Sequence, residues 1–413
     1  MNVEDASLMD PQIQEDPFDY YRALHEQAPV YRMPDTGDYL VSGYAELRHV
    51  IDHPEIWSND ILRHTGGSMF QNPTADRLLE DEGWPRDTRL QADPPEHGHY
   101  RNIIAKSFTA GRINRLTPFV ESIVDDQLSK LQANQPCEFM AEFAAHIPIG
   151  VVTHLLGLPR NDADRIKDWS DIWVEPLSYS VSPEREVEVA RQEIELQRYL
   201  TAWMCKKRDD HQEDVLSDLE LATFPDRTPL PRAERVGIAE HLIVGGHETA
   251  TSALGSGLML IAKHPEVEEE LRADPSLVRT FVEEVLRLES PSQGFFRYAL
   301  ADGEVGGIEI PKGSLVHIRF AAANRDPRQF PDPDKLDLHR SNAATHMAFG
   351  SGEHHCIGAP LARLELKTVF SRILDRWRSF ELLSDNTFEH LPGLSLRTLK
   401  SLNIRFQTEE SQP

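Results

Sequence analysis

Residues 349–358, Phe-Gly-Ser-Gly-Glu-His-His-Cys-Ile-Gly, place a cysteine among small residues. Glycine before and after the cysteine lets the backbone pack closely around a bulky group. Cys356 stands where this loop meets a predicted helix, and the positive end of a helix dipole favours the thiolate form of a cysteine. We therefore interpret the segment, called the cysteine loop below, as a metal-ligand loop with Cys356 as the ligand.

The cysteine count narrows the choice of metal group. The chain has three cysteines, whereas iron–sulfur clusters use about four. A zinc site built from His354, His355 and Cys356 is an alternative, but zinc sites usually space paired ligands by two or more residues. A buried structural cysteine is another. A lone cysteine followed by a helix suits a haem iron better.

The pattern Phe-Gly-x-Gly-x-His-x-Cys-x-Gly resembles the haem loop of the cytochrome P-450 superfamily, the haem-thiolate monooxygenases, and every fixed position is matched. The resemblance implies that haem b is the cofactor and that Cys356 is its iron ligand. It also implies haem contacts from other residues of this region: Phe349, Gly350, His354, Gly358 and Ala362.

A second set of residues could bind carboxylates. His97 and Arg101 lie four positions apart in a helix predicted to continue to Phe108, so both side chains share one face. Charge-assisted hydrogen bonds from such a pair suit two carboxylate oxygens. The alternative is a solvated charge pair. By resemblance, His97, Arg101, Arg297 and His354 pair with the haem propionates.

Residues 231–265 predict one helix of about 33 residues, near 50 Å long at 1.5 Å per residue. Its centre carries Gly245 and Gly246, which weaken the helical ladder, and Thr249 could bond the carbonyl four residues earlier and open a local groove. Close packing against another helix is the alternative. The segment Gly-Gly-x-Glu-Thr resembles the family's oxygen-activating helix, which implies that Gly245 contacts the cofactor and that Glu248 and Thr249 relay protons.

Glu284 and Arg287 lie three apart on one predicted helix face and could form a buried bidentate pair. They resemble the family's Glu-x-x-Arg pair, with Arg340 as third member and a structural role. The resemblance also suggests a substrate pocket, partly apolar and with room for a polar or acidic group. Its candidate residues are Met69, Phe70, His241, Val244, Gln293, Phe295 and Leu396.

Composition indicates a chain with an ample core, since 39% of residues are hydrophobic and 27% charged. We expect one domain over 1–413, mainly α with small β-sheets in the cytochrome P-450 fold, and a flexible N-terminus at 1–16. The net charge of −25 argues against nucleic acid as a partner. The N-terminus has neither a signal sequence nor the roughly 20-residue apolar run of a membrane anchor, so we expect a cytoplasmic protein. We also expect it to be a monomer.

Weaker patterns predict the remaining elements. Alternation at 30–42 around Asp35-Thr36-Gly37 predicts a hairpin. We expect no regular structure at 62–91, which by resemblance is the mobile loop over the pocket. The run 172–179, at Pro176, lacks a helical period and resembles the family's helix–loop–helix lid.

Two further β predictions concern the C-terminal half. Strands at 305–310 and 315–320 should flank a turn at 311–313. The tail 380–406 alternates like a hairpin whose tip, near Leu396, would face the substrate by resemblance.

The resemblance covers residues 17–406 and implies insertion of one atom of dioxygen into a small organic substrate. No flavin or ferredoxin segment is apparent, so the electrons should come from a separate ferredoxin. A basic patch of Lys106, Arg112, Arg115 and Arg363 could receive it. The alternatives are a peroxide-driven or rearrangement-catalysing enzyme of the same fold, and a non-catalytic haem sensor.

Overall fold

The long helix predicted for 231–265 is present as Arg232–Lys263, with 32 residues. It starts directly after Pro231 and ends before His264-Pro265, because proline lacks the amide that would continue a helical ladder. Buried residues recur along its whole length, among them Val236, Ile243, Leu254 and Ile261. An apolar helix of this kind needs neighbours on several sides.

The structure is a computed structural model, and it describes residues 1–86, 89–178 and 181–408. The chain divides into two units. Unit 1 comprises Met1–Ser58, Pro118–Ile147 and Thr249–Pro413, and unit 2 comprises Asn59–Thr117 and Pro148–Glu248. The division falls inside the long helix, after Glu248. A single domain over 1–413 stays a prediction.

The described residues form helices for the most part. The α-helices are α1 Pro11–Glu15, α2 Phe18–Gln27, α3 Tyr44–Asp52, α4 Ile61–Thr65, α5 Pro73–Glu82, α6 Glu96–Ala105, α7 Ala110–Lys130, α8 His146–Leu155, α9 Ala163–Ser178, α10 Pro183–Asp209, α11 Val215–Glu220, α12 Arg232–Lys263, α13 Pro265–Ala273, α14 Val278–Glu289, α15 Phe320–Ala323 and α16 Ala359–Arg376. In the described part of the chain, no helix has the length and apolar composition needed to cross a membrane.

The strands of the described residues all belong to unit 1. They are β1 Val30–Arg32, β2 Tyr39–Val41, β3 Trp57–Ser58, β4 Pro136–Glu138, β5 Phe295–Ala299, β6 Gly303–Val305, β7 Ile308–Ile310, β8 Leu315–Ile318, β9 Trp377–Leu382 and β10 Asn403–Thr408.

Three small sheets result from these strands. The largest has the order β1-β2-β8-β5-β3, with β2 and β8 parallel and the other pairs antiparallel. The second has the order β4-β10-β9, and the third is the hairpin β6-β7. The predicted hairpin at 30–42 is therefore confirmed. The tail hairpin is confirmed only at its ends, where β9 and β10 pair, because residues 383–402 between them form isolated bridges and no strand.

The core of unit 1 lies against the largest sheet. Side chains from β2, β5 and β8 pack with the buried face of α3, which contributes Leu47 and Val50. A second cluster buries Val3, Leu8 and Ile13 of the N-terminus against α2 and α15. These contacts weigh against the flexibility predicted for 1–16.

In unit 2, α10 supports the segment that precedes α6. Glu186 accepts backbone hydrogen bonds from Gln71 and Asn72 at 2.6–3.1 Å. Further along α10, the amide of Gln197 accepts from the Trp84 backbone N–H and donates to its carbonyl oxygen. Both ends of α5 are thus attached to the same helix.

Three sequence expectations were wrong. Residues 62–91 are not irregular, because α4, α5 and the short helix Arg89–Gln91 lie there; Asn72 caps α5 and Pro73 begins it. The run at 172–179 is helical as far as Ser178, since α9 tolerates Pro176 near its end, and Tyr179 lies outside the described residues. Finally, 305–310 is not one strand but the second half of the hairpin β6-β7, which turns at Gly306-Gly307, both with positive φ.

The predicted Glu284–Arg287 pair is confirmed and is fully buried in unit 1. Arg287 donates to both carboxylate oxygens of Glu284, at 2.6 and 2.9 Å, and Arg340 donates to one of them at 3.2 Å. The remaining guanidinium hydrogens of Arg287 go to the carbonyls of Asn324, Pro333 and Lys335. One buried carboxylate thus fixes the segment 324–340 on α14.

We expect Glu284→Gln to lower the free energy of unfolding by about 3–5 kcal/mol, because it leaves two buried guanidinium groups without their carboxylate. Urea denaturation followed by circular dichroism measures this difference. The matched control is Glu381→Gln, which removes the exposed pair with Arg405 and should cost no more than about 1 kcal/mol. Equal stabilities of the two variants would contradict the structural role of Glu284.

Candidate functional site

The cysteine loop ends at the N-terminus of α16. Gly350 and Gly352 have φ of +65° and +63°, a conformation that other residues adopt only with strain. The Cys356 N–H donates to the carbonyl oxygen of Phe349 at 2.9 Å, which closes the loop into a tight ring of backbone. The Cys356 thiol is exposed. Gly358 and Ala362 lie on the first turn of α16, where the Ala362 N–H donates to the Gly358 carbonyl.

A buried carboxylate anchors both ends of the cysteine loop. Glu283 of α14 accepts two hydrogen bonds from Arg363 of α16, at 2.7 and 2.8 Å, and lies 3.1 Å from Nε2 of His346. Burial alone would raise the pKa of Glu283, but His346 and Arg363 hold this pKa at about 2. The Arg363 guanidinium in turn lies 4.6 Å from the centre of the Phe349 ring. The loop is therefore clamped between α14 and α16.

The predicted propionate-binding residues lie on different elements. In unit 1, the buried Arg297 lies on β5 and donates to the Phe296 carbonyl, and His354 ends the short helix Gly352–His354. In unit 2, His97 and Arg101 lie one turn apart on α6, as predicted. His97 is buried, and burial followed by the charge of Arg101 lowers its pKa. Their predicted role in cofactor binding stays a prediction.

The two glycines at the centre of α12, Gly245 and Gly246, differ in how closely other side chains pack against them. A Cβ at Gly246 would lie 3.3 Å from Val152, so close packing explains that glycine. A Cβ at Gly245 would meet nothing within 4 Å. Close helix packing thus explains only the second glycine, and the helix is open on the side of the first.

Glu248 lies in a group of polar residues within unit 2. Its carboxylate and those ligand atoms of Asp171 and His247 that could bind a metal lie within 4.8 Å of one another. Nδ1 of His247 is 3.4 Å from Glu248, and Lys167 pairs with Asp171 at 2.5 Å. Burial first, and then the nearby carboxyl of Asp171, raise the pKa of Glu248 to about 8, while Lys167 opposes the rise. Glu248 therefore retains a proton at neutral pH.

Two groups of predicted substrate residues lie together within unit 2. Met69 and Phe70 line a cavity of about 140 Å³. Val244 packs with Trp173 and Val174, and the Trp173 ring meets that of His241 edge-on, with centroids 6.4 Å apart. Burial lowers the pKa of His241, so this imidazole is neutral at pH 7.

In unit 1, Gln293 is occupied by the protein itself. Its amide oxygen accepts from Tyr21 and Arg319, and its amide nitrogen donates to the carbonyls of Glu289 and Ser290. This network weighs against its predicted place at the substrate pocket. Phe295 on β5 is half exposed, and Leu396 forms an isolated bridge with Ser292.

The comparisons with known proteins agree with the architecture. The cytochrome P450 family model matches residues 190–403. The chain is 33% identical to cytochrome P450 monooxygenase PikC of Streptomyces venezuelae, over 98% of this chain and 94% of that protein. It is 34% identical to a vitamin D(3) 25-hydroxylase of Pseudonocardia autotrophica, over 90% and 89% of the two chains.

The chain belongs to the cytochrome P450 family. Its fold is that of solved family members: cytochrome P450 CREJ, in complex with (4-ethylphenyl) dihydrogen phosphate, superposes with a TM-score of 0.90 at 26% identity, covering 98% of this chain and 100% of that one. Relatives of this cytochrome P450 are monooxygenases, and the protein is accordingly an oxidoreductase of the monooxygenase type.

The residues of this cytochrome P450 fit the haem that the family implies. Within unit 1, the donor set contains an exposed thiol at a helix N-terminus and the buried cationic side chain of Arg297. A thiolate suits the iron, and guanidinium groups suit propionates.

Two residues of the site, Glu283 and Asp171, were not predicted from the sequence. Glu283 directly precedes the Glu284 of the recognised motif, and two adjacent acids in an amphipathic helix were a usable signal. Asp171 was assigned to no role because its approach to Glu248 depends on how α9 packs against α12. No local pattern reports such a contact.

We expect Asp171→Asn to lower the pKa of Glu248 from about 8, since it removes a like charge and frees Lys167 to favour the carboxylate. Infrared pH-difference spectra between pH 6 and 9 measure the protonated carboxyl band, and Glu248→Gln assigns it. The control is Asp168→Asn, an exposed acid on the same helix. An unchanged midpoint in Asp171→Asn would show that Asp171 does not set this pKa.

Proposed function

We propose that this protein is a haem-thiolate monooxygenase that inserts one oxygen atom from O2 into a small, mainly hydrophobic organic substrate, by hydroxylation, demethylation or epoxidation. The second oxygen atom leaves as water. The observation that carries the proposal is the Cys356 thiol, presented at the start of α16 by a loop that Glu283 clamps on both sides. Rigid presentation favours a fixed metal ligand over a reactive, mobile cysteine.

The residues would hold haem b as follows. Cys356 binds the iron, and His97, Arg101, Arg297 and His354 pair with the propionates. Phe349, Gly350, Gly358 and Ala362 form the wall on the thiolate side, and Gly245 leaves room on α12. When bound, this group supplies a thiolate-ligated iron at which dioxygen is reduced.

Glu248 and Thr249 have the proton-transfer role. A carboxyl with a pKa of about 8 is protonated at neutral pH and can donate. The Thr249 hydroxyl, on the next residue, can accept that proton and pass it on. Asp171 is 41% exposed and paired with Lys167, so it can return a proton from solvent to Glu248. An intact acid–alcohol pair supports a reaction driven by dioxygen over one driven by peroxide or a rearrangement.

The electron donor is a separate protein of the ferredoxin type. The basic patch proposed to receive it is weaker than the sequence suggested. Arg112 is paired with Asp218, Arg115 with Glu213 and Arg363 with Glu283. Of the four cations, Lys106 is the exposed one with no acidic partner among the described contacts. Docking thus cannot depend on these arginines as free charges.

We expect the reduced protein with carbon monoxide to show the strongly red-shifted Soret band of a thiolate-ligated haem. Cys356→Ser should abolish the band, because a serine hydroxyl is a poor substitute for a thiolate. The matched control is Cys205→Ser, an exposed cysteine elsewhere in the chain, which should retain it. A red-shifted band that survives in Cys356→Ser would refute the assignment of the ligand.

Thr249→Ala should slow product formation by about 10²-fold or more, the usual worth of a positioned proton donor, and raise the yield of hydrogen peroxide per electron consumed. Both quantities can be measured with a surrogate ferredoxin and reductase. Thr251→Ala, two residues further along α12 and buried in unit 1, is the control. If Thr249→Ala left both quantities unchanged, the proton relay would be disproved.

A further inference from the structure

Arg86 is a buried cation with unused donors. Its side chain is 4% exposed, and its Nε donates to Glu193 at 2.6 Å. Nη1 and Nη2 are both buried and have no hydrogen-bond partner in the described structure. Leaving a buried donor unsatisfied costs about 1–3 kcal/mol, and more when the group is charged. Such a group calls for an explanation.

The surroundings hold the guanidinium in place without occupying those two nitrogens. The Phe70 and Trp173 rings lie 4.9 and 4.3 Å from the guanidinium carbon, measured to the ring centroids. Glu193 on α10 fixes the Nε side of the guanidinium. An arginine can bind one carboxylate on the Nε side and a second across the Nη1–Nη2 edge. The Nη1–Nη2 edge therefore has no hydrogen-bond partner among the described residues and can bind a ligand.

A cavity reaches this arginine. It measures about 400 Å³ and is called the Arg86 cavity below. Its charged lining in the described residues consists of three arginines against two acids: Arg63, Arg86, Arg89, Asp60 and Glu96. In a chain with a net charge of −25, a cavity wall with an excess of arginine is suited to an anion.

The two buried acids near Arg86 compensate its positive charge only in part. Burial raises the pKa of Glu193, and Arg86 opposes this. The buried Glu240 of α12 has a pKa raised well above the ordinary value, by burial first and by Glu193 next, while Arg86 opposes the rise. Burial therefore disfavours negative charge on both of these carboxyls, so they compensate the guanidinium only in part.

We propose that Arg86 binds an anionic head group of the substrate, a carboxylate or a phosphate monoester, across its Nη1–Nη2 edge. The apolar part of the ligand then lies against Phe70, which lines the cavity of about 140 Å³ together with Arg86. This assignment replaces His241 as the residue that recognises an acidic group, since the neutral imidazole of His241 supplies no positive charge. It rests on the proposed function only in calling the ligand a substrate.

Calorimetric titration of the haem-loaded protein tests the proposal without turnover. The probes are decanoate, decyl phosphate and the neutral decanamide. Wild type should bind at least one anion about tenfold or more tightly than decanamide, as charge-assisted hydrogen bonds predict. The tighter anion identifies the head group. Equal binding of all three probes would overturn the proposal.

Arg86→Met should weaken binding of the preferred anion by about 10- to 100-fold, the worth of hydrogen bonds to a charged group, and should leave decanamide within about threefold. The control is Arg198→Met, which replaces an exposed arginine of α10 paired with Glu82. It should change neither the affinity for the anion nor the affinity for decanamide. An anion preference that survives in Arg86→Met would refute the assignment.

A second variant covers the case in which Arg86→Met does not fold. Arg86→Lys keeps the charge but not the two-pronged edge, so it should lose part of the anion preference and none of the decanamide binding. The carbon monoxide spectrum of each variant shows separately whether the thiolate-ligated haem is intact. Failure of the proposed function would appear in that spectrum, and failure of anion recognition would appear only in the titrations.

Discussion

A loop that presents a metal ligand has to be held in place, and in this protein buried carboxylates of one helix restrain the cysteine loop. Glu283 of α14 holds Arg363 and His346 on either side of the cysteine loop. Its neighbour Glu284 holds Arg287 and Arg340, and through them the segment 324–340. Two adjacent acids thus fix both the cysteine loop and the irregular chain that leads to it. The cost of burying these charges is offset because each carboxylate meets at least two cationic or hydrogen-bonding partners.

The contact between α14 and α16 also explains the position of the Cys356 thiol. α16 begins directly after the cysteine loop, and its second turn carries Arg363, the partner of Glu283. The ion pair therefore fixes the direction of α16 relative to α14, and with it the amides at the start of α16. Those amides and the helix dipole favour a negative charge on sulfur. The position of Cys356 at the start of α16 thus depends on the contact between Glu283 and Arg363.

The structural features that depend on spacing along the chain could be predicted from the sequence. Three such features are the cysteine loop, the placement of His97 and Arg101 one helical turn apart, and the length of α12. Each is set by local periodicity or by a short motif. The contact between Arg86 and Glu193 could not be predicted, since 107 positions separate the two residues. Gln293 shows the opposite error: its position after α14 matched a pocket residue, but Tyr21 and Arg319 occupy its amide. Local patterns identify which residues are present, and tertiary packing decides whether their polar atoms are free.

The buried acids differ in pKa according to the groups that they contact. Glu283, with an arginine and a histidine, has a pKa of about 2 and is an anchor that stays charged. Glu248, with another carboxyl as its neighbour, has a pKa of about 8 and can change its protonation near neutral pH. The pKa of Glu240 is raised in a similar way, by burial and by the neighbouring carboxyl of Glu193, although Arg86 opposes the rise. Because a carboxyl can transfer a proton only if both states are accessible, the first arrangement suits structure and the second suits chemistry. The same argument applies to the cation Arg86, whose Nη1 and Nη2 have no hydrogen-bond partner among the described residues. A buried charge that is compensated only in part calls for a further binding partner.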